Sequence, residues 1–274
     1  MYLDLLKRVL RRTGFAEERH TPLFAPPLRG RSRPLRAKVF RPIERLLARR
    51  GLELVRTRRD DPALRVEGKD WPSQAETMVG VKRLDNVEHC LARELRDGVP
   101  GDLMEAGVWR GGACIFMRAV LRAYGDNDRV VWLADSFEGL PEPDPDRFPA
   151  DAGFHLSRYN AVLGVSLDQV KANFERYDLL DDRVRFLKGW FRDTLPDAPV
   201  GRLALLRLDG DLYESTIQAL EGLYPKLSPG GYVIVDDYGA LKPCRAAVDH
   251  YREKHYIEDE IRWADWSGIY WRRS

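Results

Sequence analysis

Asp102-Leu-Met-Glu-Ala-Gly-Val-Trp-Arg-Gly-Gly112 reads as a short buried strand that runs into a glycine turn and opens a helix. Leu103, Met104, Ala106 and Val108 are apolar and closely spaced. Gly107, Gly111 and Gly112 supply the turn, and Ala113 to Tyr124 continue as an apolar helical run that stops at Gly125. A strand–turn–helix unit gathers backbone N–H groups and a helix N-terminus at one spot, which suits an anionic or strongly dipolar ligand. The spacing is not that of a dinucleotide fingerprint. That pattern needs G-x-G-x-x-G, and Trp109 stands where a second glycine lets a pyrophosphate approach. Glu105 at the strand end repels a pyrophosphate but pairs with an ammonium, so a ligand with a cationic amino-acid end fits the turn better. Taken alone, the glycines are equally consistent with an ordinary tight turn.

The 274 residues, 44% of them hydrophobic, suffice for one large α/β domain with an appendage, since a domain typically holds about 100–200 residues. Net charge is +2 but unevenly spread: residues 1–59 hold 17 Lys and Arg against 5 Asp and Glu, leaving 28 against 38 in the remainder. We assign residues 1–69 to a basic N-terminal arm and lid segment and residues 70–274 to the main domain. Leu3, Leu5, Leu6, Val9 and Leu10 fall near helical spacing opposite a basic face, which predicts a helix over 2–12 that docks on the body or on a neighbouring subunit of a homo-oligomer. Pro22, Pro26, Pro27 and Pro34 predict an extended segment over 19–36. A second helix is expected over 42–50, and 60–72 reads as a loop whose Trp71 either covers a ligand or, the favoured reading, plugs the core. The arm's charge fits nucleic acid in principle, but no nucleic-acid motif accompanies it, and no such partner is expected.

Cys90, Cys114 and Cys244 are far apart and odd in number, which suggests neither a disulfide framework nor a thiolate metal site and points to a reducing cytoplasm. No apolar run approaches the roughly 20 residues of a membrane span, and the N-terminus lacks a signal-peptide core. A cytoplasmic protein without a membrane partner is expected.

Beyond the opening strand the chain alternates. After a helix expected over 73–97 come the strand 129–134, ending at Asp135; an insertion over 141–164 carrying His155 and Tyr159; a helix from Ser166 to Tyr177; and the strand 184–187, ending at Gly189-Trp190-Phe191. The strand 203–208 ends at Asp209-Gly-Asp211, a helix follows over 213–227, and after the turn 228–231 the strand 232–235 ends at Asp236-Asp237. A helix over 244–255 and two short strands close the chain. This predicts an α/β Rossmann-like, doubly wound fold with a mainly parallel sheet, an antiparallel C-terminal edge strand and a helical or extended N-terminal arm. Right-handed crossovers put every parallel strand's C-terminal end along one edge. An acidic residue in the position of Asp135 suits ribose hydroxyls. Trp190 and Phe191 are placed either to flank an adenine or to pack the core. His155 is a second possible base, although a lone loop histidine is more often simply exposed. Asp209 and Asp236 sit one helix crossover apart, so with Asp237 they can share a hard cation. Carboxylates without Cys or His suit Mg²⁺ rather than zinc.

Five stretches together carry a family resemblance: Glu105-Ala-Gly-Val-Trp-Arg-Gly-Gly112, Asp135-Ser-Phe-Glu-Gly-Leu-Pro141, Gly189-Trp-Phe-Arg-Asp-Thr-Leu195, Leu208-Asp-Gly-Asp-Leu-Tyr-Glu-Ser215 and Gly230-Gly-Tyr-Val-Ile-Val-Asp-Asp237. With Thr77 to Asn86, and more weakly Tyr2 to Arg8, they resemble the macrocin O-methyltransferase family over roughly residues 70–273. The resemblance implies the methyltransferase fold and S-adenosylmethionine- and Mg-dependent methylation of a sugar hydroxyl on a glycosylated small-molecule acceptor such as a macrolide or aminocoumarin. It implies Asp209, Asp236 and Asp237 as metal ligands, with Asp209 also the base. It implies a cofactor site at Glu105, Ala106, Gly107, Val108, Trp109, Arg110, Gly111, Gly112 and Asp135, to which Ser136, Gly139, Gly189, Trp190 and Phe191 are added. Segment 13–69 is longer and more basic than the family leads one to expect. The alternatives are a metal-dependent methyltransferase of a catechol or other small phenol, or a nucleic-acid-binding protein acting through the arm.

Overall fold

The computed structural model describes residues 1–13, 18–22, 46–47, 55–59 and 61–274. Nine strands are defined among them: β1 (Glu18–Pro22), β2 (Val55–Arg59), β3 (Asp102–Ala106), β4 (Val131–Asp135), β5 (Val184–Lys188), β6 (Leu203–Leu208), β7 (Leu227–Val235), β8 (Arg262–Trp263) and β9 (Ile269–Arg272). The last seven form one sheet in the order β5-β4-β3-β6-β7-β9-β8. β3 to β7 are mutually parallel, and β9 and β8 are added antiparallel at the β7 side.

The reason for this architecture is visible in β6, where all six residues are buried. A parallel strand covered on both faces reads as a continuous apolar run, and side chains alternate between the two faces. Leu103 and Leu205 enter the layer built with helices Val81–Asp97, Gly112–Ala123 and Leu167–Arg176. Met104 and Leu206 enter the opposite layer with helices Tyr213–Leu223 and Lys242–Lys254. Arg207 is the exception in the run, fully buried and charged.

The expected N-terminal helix is present as Tyr2–Leu10. It docks on the body: Leu3, Leu6 and Leu10 join the core, and Lys7 reaches Asp85 at 2.6 Å and Glu88 at 2.5 Å. Where the sequence predicts only extended chain, residues 18–22 pair antiparallel with 55–59 as a two-stranded ribbon. The expected helix over 42–50 is helical at 46–47, and its other residues lie outside the described ones.

Three boundaries differ from expectation. The loop 60–72 contains a helix, Pro62–Glu67, because Asp61 caps it through the Ala63 N–H and Gly68 ends it with φ +63°. The helix expected from 73 starts only at Val81, because residues 75–80 serve the glycine turn instead: the Gly112 N–H is donated to the Glu76 carbonyl. β7 begins at Leu227, so the Ser228-Pro-Gly-Gly231 stretch lies within an irregular strand start rather than a free turn. No helix among the described residues is long and apolar enough to cross a membrane.

Candidate functional site

The C-terminal ends of β3, β4, β5, β6 and β7 converge, as right-handed crossovers require. Gly107 follows β3 at φ +89°, and a Cβ there would lie 1.9 Å from the Asp209 carbonyl oxygen, so only glycine lets the two loops meet. Trp109 is held in the left-handed region at φ 49°, its indole N–H donated to the Val162 carbonyl of the insertion at 3.0 Å. Asp135, ending β4, accepts the Val108 N–H and the Phe137 N–H, each at 2.7 Å. Burial raises its carboxyl above the ordinary range, and these N–H donors limit the rise.

A cleft of about 360 Å³ opens over this edge, within the range of small-molecule sites. Of the residues singled out in the sequence, Gly107, Trp109, Asp135, Ser136, Gly139, Gly189, Trp190, Phe191 and Asp209 line it. Ala106, Val108, Arg110, Gly111 and Gly112 build the turn without lining the cleft. Glu105 does not line the cleft either. Its side chain is buried beneath the turn, ion-paired with Arg207 and accepting a hydrogen bond from the Cys114 thiol at 2.7 Å. Burial pushes its carboxyl up to about 7 against the pull of Arg207. Glu105 on β3 stands directly opposite Arg207 on β6, so the strand register fixes this pair. His155 is exposed and does not line the cleft, and Trp71 is exposed rather than a core plug, standing edge-on to Tyr159 with ring centroids 5.4 Å apart.

Asp209, Asp236 and Asp237 present carboxylate oxygens all within 4.8 Å of one another. Arg207 donates to Asp209 at 2.9 Å and also to Asp236, whose other oxygen takes a hydrogen bond from Arg83. Burial opposes ionisation of Asp236, but Arg207 and Arg83 outweigh it and hold that carboxyl below its ordinary range. Asp237 goes the other way. Burial, then Asp211, Asp209 and Asp236, push it well up, and its buried Oδ2 has no hydrogen-bond partner. An orphaned buried oxygen within an all-carboxylate group fits a hard divalent cation, since each carboxylate oxygen has lone pairs to spare.

One residue that the site assignments omitted stands out. Asp211 lines the cleft at φ 60°, and burial together with Asp209 and Asp236 pushes its carboxyl up to about 8. The tandem spacing of Asp209-Gly-Asp211 was the available signal.

A parallel sheet extended by an antiparallel β9–β8 pair, with a glycine turn after β3, an acid at the end of β4 and a cleft across those ends, defines the Rossmann-like methyltransferase class. Within that class the family is shown by comparison. The model of the macrocin-O-methyltransferase family matches residues 1–273. The chain belongs to this family, and the match takes in segment 13–69 as well as the domain. It is 62% identical over 210 residues, 77% of the chain and 80% of the relative, to the 8-demethyl-8-(2,3-dimethoxy-alpha-L-rhamnosyl)-tetracenomycin-C 4'-O-methyltransferase of Streptomyces olivaceus. It is 56% identical over 211 residues, 77% of the chain and 80% of the relative, to the demethyldecarbamoylnovobiocin O-methyltransferase of Streptomyces niveus. The solved structure of the O-methyltransferase NovP covers 100% of the chain and 98% of its own, with TM-score 0.81 and 46% identity. The protein is an O-methyltransferase, and its fold is that of the S-adenosylmethionine-dependent class.

Proposed function

We propose that the protein transfers a methyl group from S-adenosylmethionine to a hydroxyl of a sugar already attached to a natural product, at a site whose Asp209, Asp236 and Asp237 would hold a Mg²⁺ that supplies acidity to that hydroxyl. The observation that carries this reading meets at one residue. Asp209 lines the cleft together with Gly107, Trp109, Asp135, Trp190 and Phe191, and it also belongs to the three-carboxylate group.

S-adenosylmethionine supplies an electrophilic methyl when bound. A divalent ion supplies acidity, as it does for a ligated water whose pKa falls from 15.7 to about 7. The chain's own residues do the rest. Asp135 is held by two backbone N–H groups and keeps lone pairs that would serve ribose hydroxyls, and Trp190 and Phe191 in the cleft wall would flank the adenine. Asp209, Asp236 and Asp237 hold the ion. The family resemblance implies a base role for Asp209 as well; its hydrogen bond from Arg207 and its place in the carboxylate group support the ligand role. Asp211, two residues on and in the cleft wall, is the better base. It lines the cleft without belonging to the three-carboxylate group, and a general base must stand within reach of the proton it takes. The same reading includes a homo-oligomer working in the cytoplasm without nucleic-acid or membrane partners, which light scattering of the purified protein tests for assembly.

An acceptor panel tests the function. Rhamnosylated aromatic polyketides and noviosylated aminocoumarins should be turned over with kcat/KM far above that of simple catechols. Turnover of catechols but of no glycoside would displace the proposal.

A further inference from the structure

The insertion between β4 and helix Leu167–Arg176 carries Asp151, whose side chain is fully buried. Its Oδ1 accepts the Tyr213 N–H at 2.7 Å and its Oδ2 accepts the Glu214 N–H at 3.0 Å. These N–H groups open helix Tyr213–Leu223, and the residue at its own N-cap position, Leu212, has no side-chain oxygen to offer. The cap therefore comes from 62 residues earlier in the chain, and its charge also suits the positive end of the helix dipole. Phe148 packs beside Tyr213 with ring centroids 6.1 Å apart, which seats the same turn on the same helix.

What the helix carries gives this contact its significance. It starts immediately after Asp209-Gly-Asp211, and its Glu214, Ser215 and Gln218 line the cleft. Leu140, Pro141, Glu142 and Leu163 of the insertion line the same cleft. Two other anchors of the insertion lead elsewhere: the Asn160 amide exchanges hydrogen bonds with Leu140 at 2.9 Å, and Trp109 donates to Val162. Neither reaches the helix that follows the carboxylate loop, whereas Asp151 does.

We propose that Asp151 is a positioning residue for methyl transfer, locking the insertion to the helix that carries the Asp209–Asp211 loop so that the acceptor side of the cleft and its carboxylates hold one geometry. The proposal rests on the function proposed above. Asp151 itself touches neither cofactor nor acceptor in this arrangement. Small displacements at the reacting centre are costly, since a misplacement of about 1 Å can slow a reaction ~10²-fold.

The full-length protein with Asp151→Ala and with Asp151→Asn tests it through hydrogen exchange, calorimetry with S-adenosylmethionine, and kinetics with a rhamnosylated aromatic polyketide as probe. In Asp151→Ala, segments 141–164 and 209–218 should lose exchange protection together. The acceptor kcat/KM should fall by ~10-fold or more, between the loss of a helix cap and a full misplacement, while cofactor affinity stays within about twofold. Asp151→Asn keeps one accepting oxygen and should fall between wild type and Ala. Loosening of one segment without the other, an unchanged kcat/KM, or an equal loss of cofactor affinity overturns the proposal. If the wild type turns over no glycoside, the proposed function fails, and the exchange measurement still decides whether Asp151 couples the two segments.

Discussion

Glu105 and Arg207 face each other across β3 and β6, both buried, and their ion pair lies under the carboxylate group that Arg207 also holds through Asp209 and Asp236. One cation in the core thus steadies three carboxylates. Removing one partner of a buried pair leaves an uncompensated charge and typically costs about 3–5 kcal/mol. Arg207→Met should therefore lower stability to urea by about that amount. Glu105→Gln should lower it less, because the amide still accepts a hydrogen bond, and should leave S-adenosylmethionine affinity within about twofold. A tenfold loss of cofactor affinity in Glu105→Gln would return this side chain to the cofactor's ammonium, where the sequence alone put it.

Cofactor binding and ion binding should separate. Gly107 and Asp135 line the cleft, whereas Asp236 and Asp237 do not, so calorimetry in excess chelator should find S-adenosylmethionine bound with near-normal affinity while turnover is lost. Loss of cofactor affinity on removing Mg²⁺ would contradict the division of the site.

Asp209, Asp211 and Asp237, which the proposed function gives separate tasks, should give distinct signatures. Asp211→Asn should lower kcat by ~10²–10⁴, the usual worth of a general base, while Mn²⁺ binding read by electron paramagnetic resonance stays near wild type. Asp237→Asn should weaken Mn²⁺ binding and recover activity as Mg²⁺ is raised. Asp209→Asn should lose ion affinity and turnover together. If Asp209→Asn kept its ion but lost its rate, the base would be Asp209 after all.

Glu94 predicts a pH dependence of stability. It is fully buried in helix Val81–Asp97, its Oε1 accepting the Tyr232 N–H at 3.0 Å while Oε2 has no partner. Burial pushes its carboxyl from 4.5 up to about 8. The folded state keeps this proton after the unfolded chain has released it, so stability is greatest below the unfolded value and declines as pH rises toward 8. Urea titrations between pH 5 and 8 should show a decline of about 2–4 kcal/mol that Glu94→Gln removes. A slope unchanged in Glu94→Gln would place the titrating group elsewhere, with Glu105 next to be tested.

The sheet was legible because its signals are local. The apolar runs of β3, β4 and β6, each ending in Gly107, Asp135 or Asp209, state both the strand and the edge at which it stops. The late start of helix Val81–Asp97 was hidden because residues 75–80 are recruited by a turn more than thirty positions on, and no local pattern records that the Glu76 carbonyl meets the Gly112 N–H. The ion pair of Glu105 was hidden for a related reason: a carboxylate at a strand end looks free until the opposing strand supplies Arg207 at the same level. Asp151 and Asp211 depend on tertiary placement in the same way, one as a distant helix cap and the other as a cleft wall.

The central claim is that the methyl group ends on a sugar oxygen. Incubating the protein with Mg²⁺, isotopically methyl-labelled S-adenosylmethionine and a rhamnosylated aromatic polyketide, and then locating the label in the product by nuclear magnetic resonance, tests this most directly. A single labelled methyl correlated with a sugar ring carbon, absent when a chelator is added, is the predicted result; a label on a phenolic oxygen of the aglycone, or on the sugar at the same rate in the presence of chelator, would contradict it.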